Sequence, residues 1–118
     1  MANKIEVGQI YKCSWNGMAD YYDVIKRTDK TVTLRKLKWE ICAAPEGKND
    51  DDDLTYRWTR LVRDENGNPI QDDYDFKKLF QKRIIILKDG SEIFKSPNYS
   101  GEAYVSILKS DYMRMYWG

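Results

Sequence analysis

Apolar and polar residues alternate along several stretches of this chain with the two-residue period of β-strands. The first stretch, "VGQIYKCSW" at residues 7–15, places every second side chain from Val7 to Trp15 on one face. Another, "LTYRWTRLV" at residues 54–62, has Tyr56 and Trp58 on one side and threonine or arginine on the other. Both patterns predict half-buried strands. Because Trp15 ends the first stretch, we expect it at the rim of the fold, half packed and half accessible.

Turn-forming residues between strand-like stretches predict two hairpins. Residues 21–41 are rich in Tyr, Val, Ile and Thr around the turn Thr28–Lys30. In the returning strand the apolar residues change parity after Leu34, which predicts a bulge or sharp bend near Arg35 and Lys36. The second hairpin is predicted in "RIIILKDGSEIFKS", residues 83–96, with its tight turn at Asp89 and Gly90.

One stretch has a helical pattern. Residues 72–83, "DDYDFKKLFQKR", begin with aspartates, repeat Phe76, Leu79 and Phe80 at spacings of three and four, and end on basic residues. A turn at Asn66–Gly67 and a strand in "GEAYVSIL" complete the pattern. The chain is therefore predicted to be all-β, or β-rich α+β: a small antiparallel, SH3-like or partly open barrel with one short helix.

Length and composition fit one domain over residues 1–118. Apolar runs are too short to cross a bilayer, and the first residues lack the regions of a signal peptide, so we expect a cytoplasmic protein without a membrane partner. In that compartment Cys13 and Cys42 are expected to remain reduced.

The residue types present give little support for catalytic activity. The chain contains no histidine, so the commonest general base and metal ligand is missing. The contiguous aspartates Asp50–Asp53 lack both the spacing of a hydrolytic carboxylate pair and that of a calcium loop. Phosphate-binding glycine motifs are also missing. We therefore expect a protein that is not an enzyme and has no cofactor and no metal site.

Charge is unevenly distributed although the net charge is only +1. Residues 42–75 carry 4 basic and 10 acidic side chains, a net charge of −6. Such a segment can occupy a basic groove on another protein, with fast and salt-sensitive association. The candidate partner-binding residues are these acids together with two tryptophans, which are frequent at interface hot spots: Asp50, Asp51, Asp52, Asp53, Asp72, Asp73, Trp15 and Trp117.

The basic residues allow a second interpretation. Cations interleaved with aromatic residues are what small barrels use to hold single-stranded nucleic acid. The candidate residues for this alternative are Lys26, Arg27, Lys36 and Lys38, with Lys82 and Arg83 farther along the chain. A third possibility is a structural subunit of a larger assembly.

Four stretches, taken in order, carry a resemblance to a group of proteins. "VGQIYKCSW", "DYYDVIKRTDKTVTLRKL", "FKSPNYSGEAYVSI" and "MRMYWG" resemble the pattern "VGxIFxxSW", "FYxVVxxTxKTVTLRxI", "YxGxPYVxISSY" and a tryptophan-bearing tail. This pattern belongs to small uncharacterised proteins of phages and mobile elements of Gram-positive bacteria. The resemblance implies an accessory gene, and many such genes act on host defences, including as anti-CRISPR proteins that occupy the nucleic-acid groove of a nuclease. It transfers no site residue.

The leading hypothesis from the sequence is thus a non-catalytic binding protein of a phage or mobile element. It would inhibit a host defence nuclease, in the manner of an anti-CRISPR protein, by contacting a basic groove through its acidic segment. We expect a monomer or homodimer. The alternative is a module that binds single-stranded nucleic acid.

Overall fold

The computed structural model of the chain describes residues 3–15, 17–48, 56–73, 79–97 and 104–116, with the side chains of Trp15 and Tyr104 outside the description. This part of the chain contains ten strands and no helix. The strands are β1 (Ile10–Trp15), β2 (Met18–Arg27), β3 (Thr31–Leu37), β4 (Trp39–Ile41), β5 (Tyr56–Leu61), β6 (Leu79–Arg83), β7 (Ile85–Ile86), β8 (Glu92–Ile93), β9 (Tyr104–Ile107) and β10 (Tyr112–Tyr116).

The strands form three antiparallel sheets. Five strands are ordered β6-β3-β2-β1-β9, three are ordered β10-β5-β4, and β7 pairs with β8. Within the described residues none of these sheets closes into a barrel. The fold is therefore all-β, small and antiparallel, as the sequence predicts.

Strand β2 is the centre of the molecule because both of its faces are covered. Its residues Ala19–Val24 are all buried, which is unusual for an antiparallel strand with one solvated face. One face packs into a first core, formed by Ile5, Cys13, Tyr22, Val24, Val32, Leu34, Ile84 and Phe94. The other packs into a second core, formed by Ala19, Tyr21, Leu37, Leu61 and Met115. The second core joins the five-stranded sheet to the three-stranded sheet.

Both predicted hairpins are confirmed, but the predicted bend is in a different place. Strand β3 pairs regularly through Arg35 and Lys36, and the register shift lies in β2, at Ile25. The parity change after Leu34 arises because β3 buries one face in the first core and the opposite face, at Leu37, in the second. After Lys38 the chain enters the other sheet as β4, so no bulge is needed within β3.

The predicted helix is wrong over residues 79–83, which form strand β6, while residues 74–78 lie outside the described part of the chain. Strand β6 pairs with β3, and Phe80 lies opposite Leu34 against the first core. Leu79, on the other face, is half exposed. Sheet pairing thus overrides a spacing that also suits a helix.

The described residues contain no helix of the length and apolarity that a membrane span needs.

The two cysteines are free thiols in different environments, which predicts different reactivity. Cys13 is fully buried and burial raises the pKa of its thiol to about 12, whereas Cys42 is half-buried. Since the thiolate is the reactive form, we expect Ellman's reagent to modify only Cys42 in the native protein and both residues after unfolding. Rapid modification of Cys13 without denaturant, located by peptide mapping, would contradict this packing.

Candidate binding surface

The solvent-facing side of the three-stranded sheet collects aromatic and arginine side chains. In β5 the buried residues are Thr59 and Leu61, so the aromatic side of this strand faces outward. In β10 Met115 is buried against the second core. Residues directly opposite one another in an antiparallel pair share a face. The register pairs Tyr56 with Tyr116, Trp58 with Arg114, and Arg60 with Tyr112, and we call these six residues the aromatic face.

Contacts within the aromatic face hold its side chains in place. The rings of Tyr56 and Tyr116 have centroids 5.3 Å apart and are tilted by 53°. The guanidinium carbon of Arg114 lies 4.2 Å from the centre of the Tyr56 ring, in a cation–π contact. Tyr112 and Tyr116 remain 38% and 39% exposed, so these rings are ordered yet accessible.

Ion pairs border the aromatic face at the end that carries Tyr112. Arg60 Nε donates to Glu40 Oε1 at 2.7 Å, and Arg63 Nε donates to Asp111 Oδ2 at 2.7 Å. These carboxylates raise the pKa of both guanidinium groups. The same four residues, with Tyr112, line a cleft of about 250 Å³. The arginines are therefore held in fixed orientations beside a concavity.

The turn between β1 and β2 meets the opposite end of the aromatic face. Gly17 has a φ of +79°, and its carbonyl oxygen accepts a hydrogen bond from the Tyr116 amide at 3.0 Å. A Cβ atom at position 17 would lie 2.7 Å from Tyr116 Cβ, so the approach requires glycine. Trp15 immediately precedes this turn and pairs with Met18, and Trp117 follows Tyr116 in sequence.

Comparison with protein-family models, curated proteins and solved structures gave no match. The functional argument accordingly depends on the geometry of this chain. Its described residues include no group of three or more cysteine and carboxylate side chains arranged to hold a metal ion.

The predicted acidic contact residues are only partly described. Asp72 is buried, with 9% exposure, and its amide donates to the Lys36 carbonyl oxygen at 2.9 Å. Asp73 is exposed and its Oδ2 lies 3.8 Å from Lys38 Nζ. Asp50–Asp53 lie outside the described residues, as do Trp117 and the side chain of Trp15. Of the acids predicted to contact a partner, Asp73 is thus accessible and Asp72 belongs to the interior.

Three of the six cations predicted to contact nucleic acid are already paired with carboxylates. The pairs are Arg27 with Glu92 at 2.8 Å, Lys36 with Asp20 at 3.7 Å and Lys38 with Asp73 at 3.8 Å. Lys26 is exposed beside the bulge in β2. To contact a phosphate, the three paired cations would have to give up an existing charge partner.

Sequence reasoning missed the aromatic face as a unit. Its two halves come from strands that are far apart in the chain: Thr59 Oγ1, for example, donates to the Met113 carbonyl oxygen across 54 residues. The sequence did contain a signal for each half. Tyr112, Arg114 and Tyr116 are spaced by two residues and so share one face of a strand, and the same holds for Tyr56 and Trp58. What was lacking was the pairing of β5 with β10, which alone puts the two patterns on one surface.

Proposed function

We propose that this chain is a non-catalytic binding protein that recognises a second protein through the aromatic face. The observation that supports this most strongly is the composition of that surface. Tyrosine, tryptophan and arginine dominate the hot spots of protein interfaces, whereas lysine is depleted there. Of the six residues of the aromatic face, three are tyrosine, one is tryptophan and two are arginine.

Preorganisation of the surface also supports the proposal. Ordering a long side chain during association costs free energy, and this cost is smaller when the side chain is already held. Arg114 rests on the Tyr56 ring, and Arg60 is paired with Glu40. The neighbouring 250 Å³ cleft offers room for an apolar or hydrogen-bonding side chain of the partner beside Tyr112.

Charge on and beside the aromatic face favours a protein over a nucleic acid as its partner. Arg60 and Arg63 are each matched by a carboxylate, so this end of the aromatic face carries little net positive charge. A surface that tracks a phosphate backbone carries several cations in a row. We therefore expect a partner patch that is largely uncharged.

A finer proposal concerns the identity of the partner. The resemblance to proteins of phages and mobile elements, and the net charge of −6 on residues 42–75, support a host defence nuclease whose basic groove receives the acidic segment. In that arrangement the aromatic face and Asp50–Asp53 would both contribute to binding. The two contributions can be separated by mutation.

The test uses the intact chain as bait in cytosol of a Gram-positive bacterium, followed by affinity measurements on the purified partner. We expect the double variant Tyr112→Ala/Arg114→Ala to weaken binding at least about 30-fold, as loss of one hot spot does. The control variant Lys88→Ala/Lys109→Ala removes two exposed lysines that lie outside both proposed contacts, and it should bind as the wild type does. Both variants should keep the wild-type circular dichroism spectrum.

The acidic segment is tested on the same partner with Asp50, Asp51, Asp52 and Asp53 changed to asparagine. Loss of binding in this variant with full binding in Tyr112→Ala/Arg114→Ala would refute the aromatic face and favour the acidic contact. The proposed function would be refuted if the chain captured no partner. It would also be refuted if the aromatic-face variant bound as tightly as the control.

A further inference from the structure

A basic cleft lies where β6 ends and the chain continues into β7. The described residues that line it are Lys82, Arg83, Ile85 and Lys95, and its volume is about 350 Å³. Pockets that bind small molecules begin at roughly 300 Å³. The cleft is thus large enough to receive a small anionic ligand.

Two of these cations, Arg83 and Lys95, are next in sequence to residues of the first core. Ile85 pairs with Ile93 in the β7–β8 hairpin. The residue before Ile85, Ile84, and the residue after Ile93, Phe94, are both buried in the first core. Arg83 precedes Ile84 and Lys95 follows Phe94, and both cations are exposed. Like charges that line one cleft repel each other, and a bound anion would reduce this repulsion.

Within the part of the chain that the structure describes, no carboxylate supplies such an anion. Among the described residues, none of the three cations of the cleft forms an ion pair with an acid. Glu92 accepts hydrogen bonds from Arg27 and from the Ile5 amide. Asp89 accepts from the amide and the hydroxyl of Ser91. With respect to the described residues, the positive charge of the cleft is therefore uncompensated.

We propose that this cleft binds phosphate groups, a property separate from the protein contact at the aromatic face. A guanidinium presents a planar fork that matches two phosphate oxygens, and a lysine ammonium adds a compact positive charge. Ile85 lines the cleft, and its partner Ile93 is 39% exposed, so apolar surface adjoins the cations. This combination suits a nucleoside phosphate, either as a free nucleotide or within a single strand.

The test is a titration followed by the backbone amide signals of the intact protein. The probes are inorganic phosphate, a nucleoside diphosphate and a short oligothymidylate, each at low salt. We expect chemical-shift changes centred on Arg83, Ile85 and Lys95. Tighter binding of the oligothymidylate would identify a strand as the ligand, and tighter binding of the diphosphate would identify a free nucleotide.

Two double variants distinguish binding at this cleft from a general effect of the protein's positive charge. Arg83→Gln/Lys95→Gln should weaken binding of the tighter probe at least about tenfold, because two charged hydrogen-bond donors are lost. Lys48→Gln/Lys109→Gln removes the same charge elsewhere and should change the affinity by much less. Equal effects of the two variants, or shifts spread evenly over the surface with every probe, would overturn the proposal.

Discussion

Replacing Tyr22 with alanine is expected to lower the free energy of unfolding by about 3–5 kcal/mol, the loss typical of a large buried aromatic side chain. Tyr22 is fully buried in the first core, and its ring meets that of Phe80 edge to face at 5.6 Å. Domains of this kind are stable by only about 5–15 kcal/mol in total, so the variant would retain little stability. Urea unfolding followed by tryptophan fluorescence measures the difference.

Tyr22→Phe is the matched control for that experiment. The Tyr22 hydroxyl is buried without a hydrogen-bond partner among the described residues. Burial, followed by the nearby Asp20 carboxylate, raises the pKa of this phenol, so it stays protonated. Removing an unsatisfied buried hydroxyl should leave stability unchanged or raise it by about 1 kcal/mol. If Tyr22→Phe were destabilised as strongly as Tyr22→Ala, the hydroxyl would have to be making a hydrogen bond.

Glu92→Gln is expected to produce the next largest loss, about 2 kcal/mol at neutral pH, the contribution typical of hydrogen bonds to a charged group. Glu92 Oε1 accepts from Arg27 Nη1 at 2.8 Å and from the Ile5 amide at 2.9 Å. Arg27 Nη1 also donates to the Ile5 carbonyl oxygen at 2.6 Å. One carboxylate thus joins the chain before β1 to β2 and β8.

The same contact predicts how stability depends on pH. The hydrogen bonds from Arg27, followed by the one from the Ile5 amide, lower the pKa of Glu92 from 4.5 to about 2. A lowered folded-state pKa means that the contribution is fully present above about pH 4.5 and disappears as the pH falls towards 2. Wild-type stability should therefore fall more steeply than that of Glu92→Gln across this interval. Glu65→Gln, at an exposed turn, should follow the wild type, and parallel curves for Glu92→Gln would contradict the assignment.

Local patterns in the sequence were sufficient for the hairpins. The turns at Thr28–Lys30 and at Asp89–Gly90 depend on residues adjacent in the chain: Thr28 Oγ1 accepts from the Thr31 amide, and Gly90 has a φ of +87°. Such interactions form within a few residues and do not depend on the rest of the fold. For this reason the antiparallel, β-rich character could be predicted correctly.

Some sequence patterns fit two different structures, and contacts with residues distant in the chain determine which one forms. Residues 79–83 fit a helix by the spacing of Leu79 and Phe80, but their place beside β3 makes them a strand. The sequence also could not assign the faces of β5, where Thr59 is buried and Trp58 is the outward residue. Both outcomes depend on which surface a neighbouring strand covers.

By itself, the sequence determined the turns, the alternation and the uneven distribution of charge, because these depend on residue type and short-range geometry. Only the tertiary structure decided which charges remain available and which aromatic residues share a surface. Asp72 is buried, and Arg27 forms an ion pair with Glu92. Tyr56 pairs with Tyr116 across two strands that are distant in the chain. The physical reason is that burial and pairing depend on the sheet register, which long-range packing sets and no local pattern encodes.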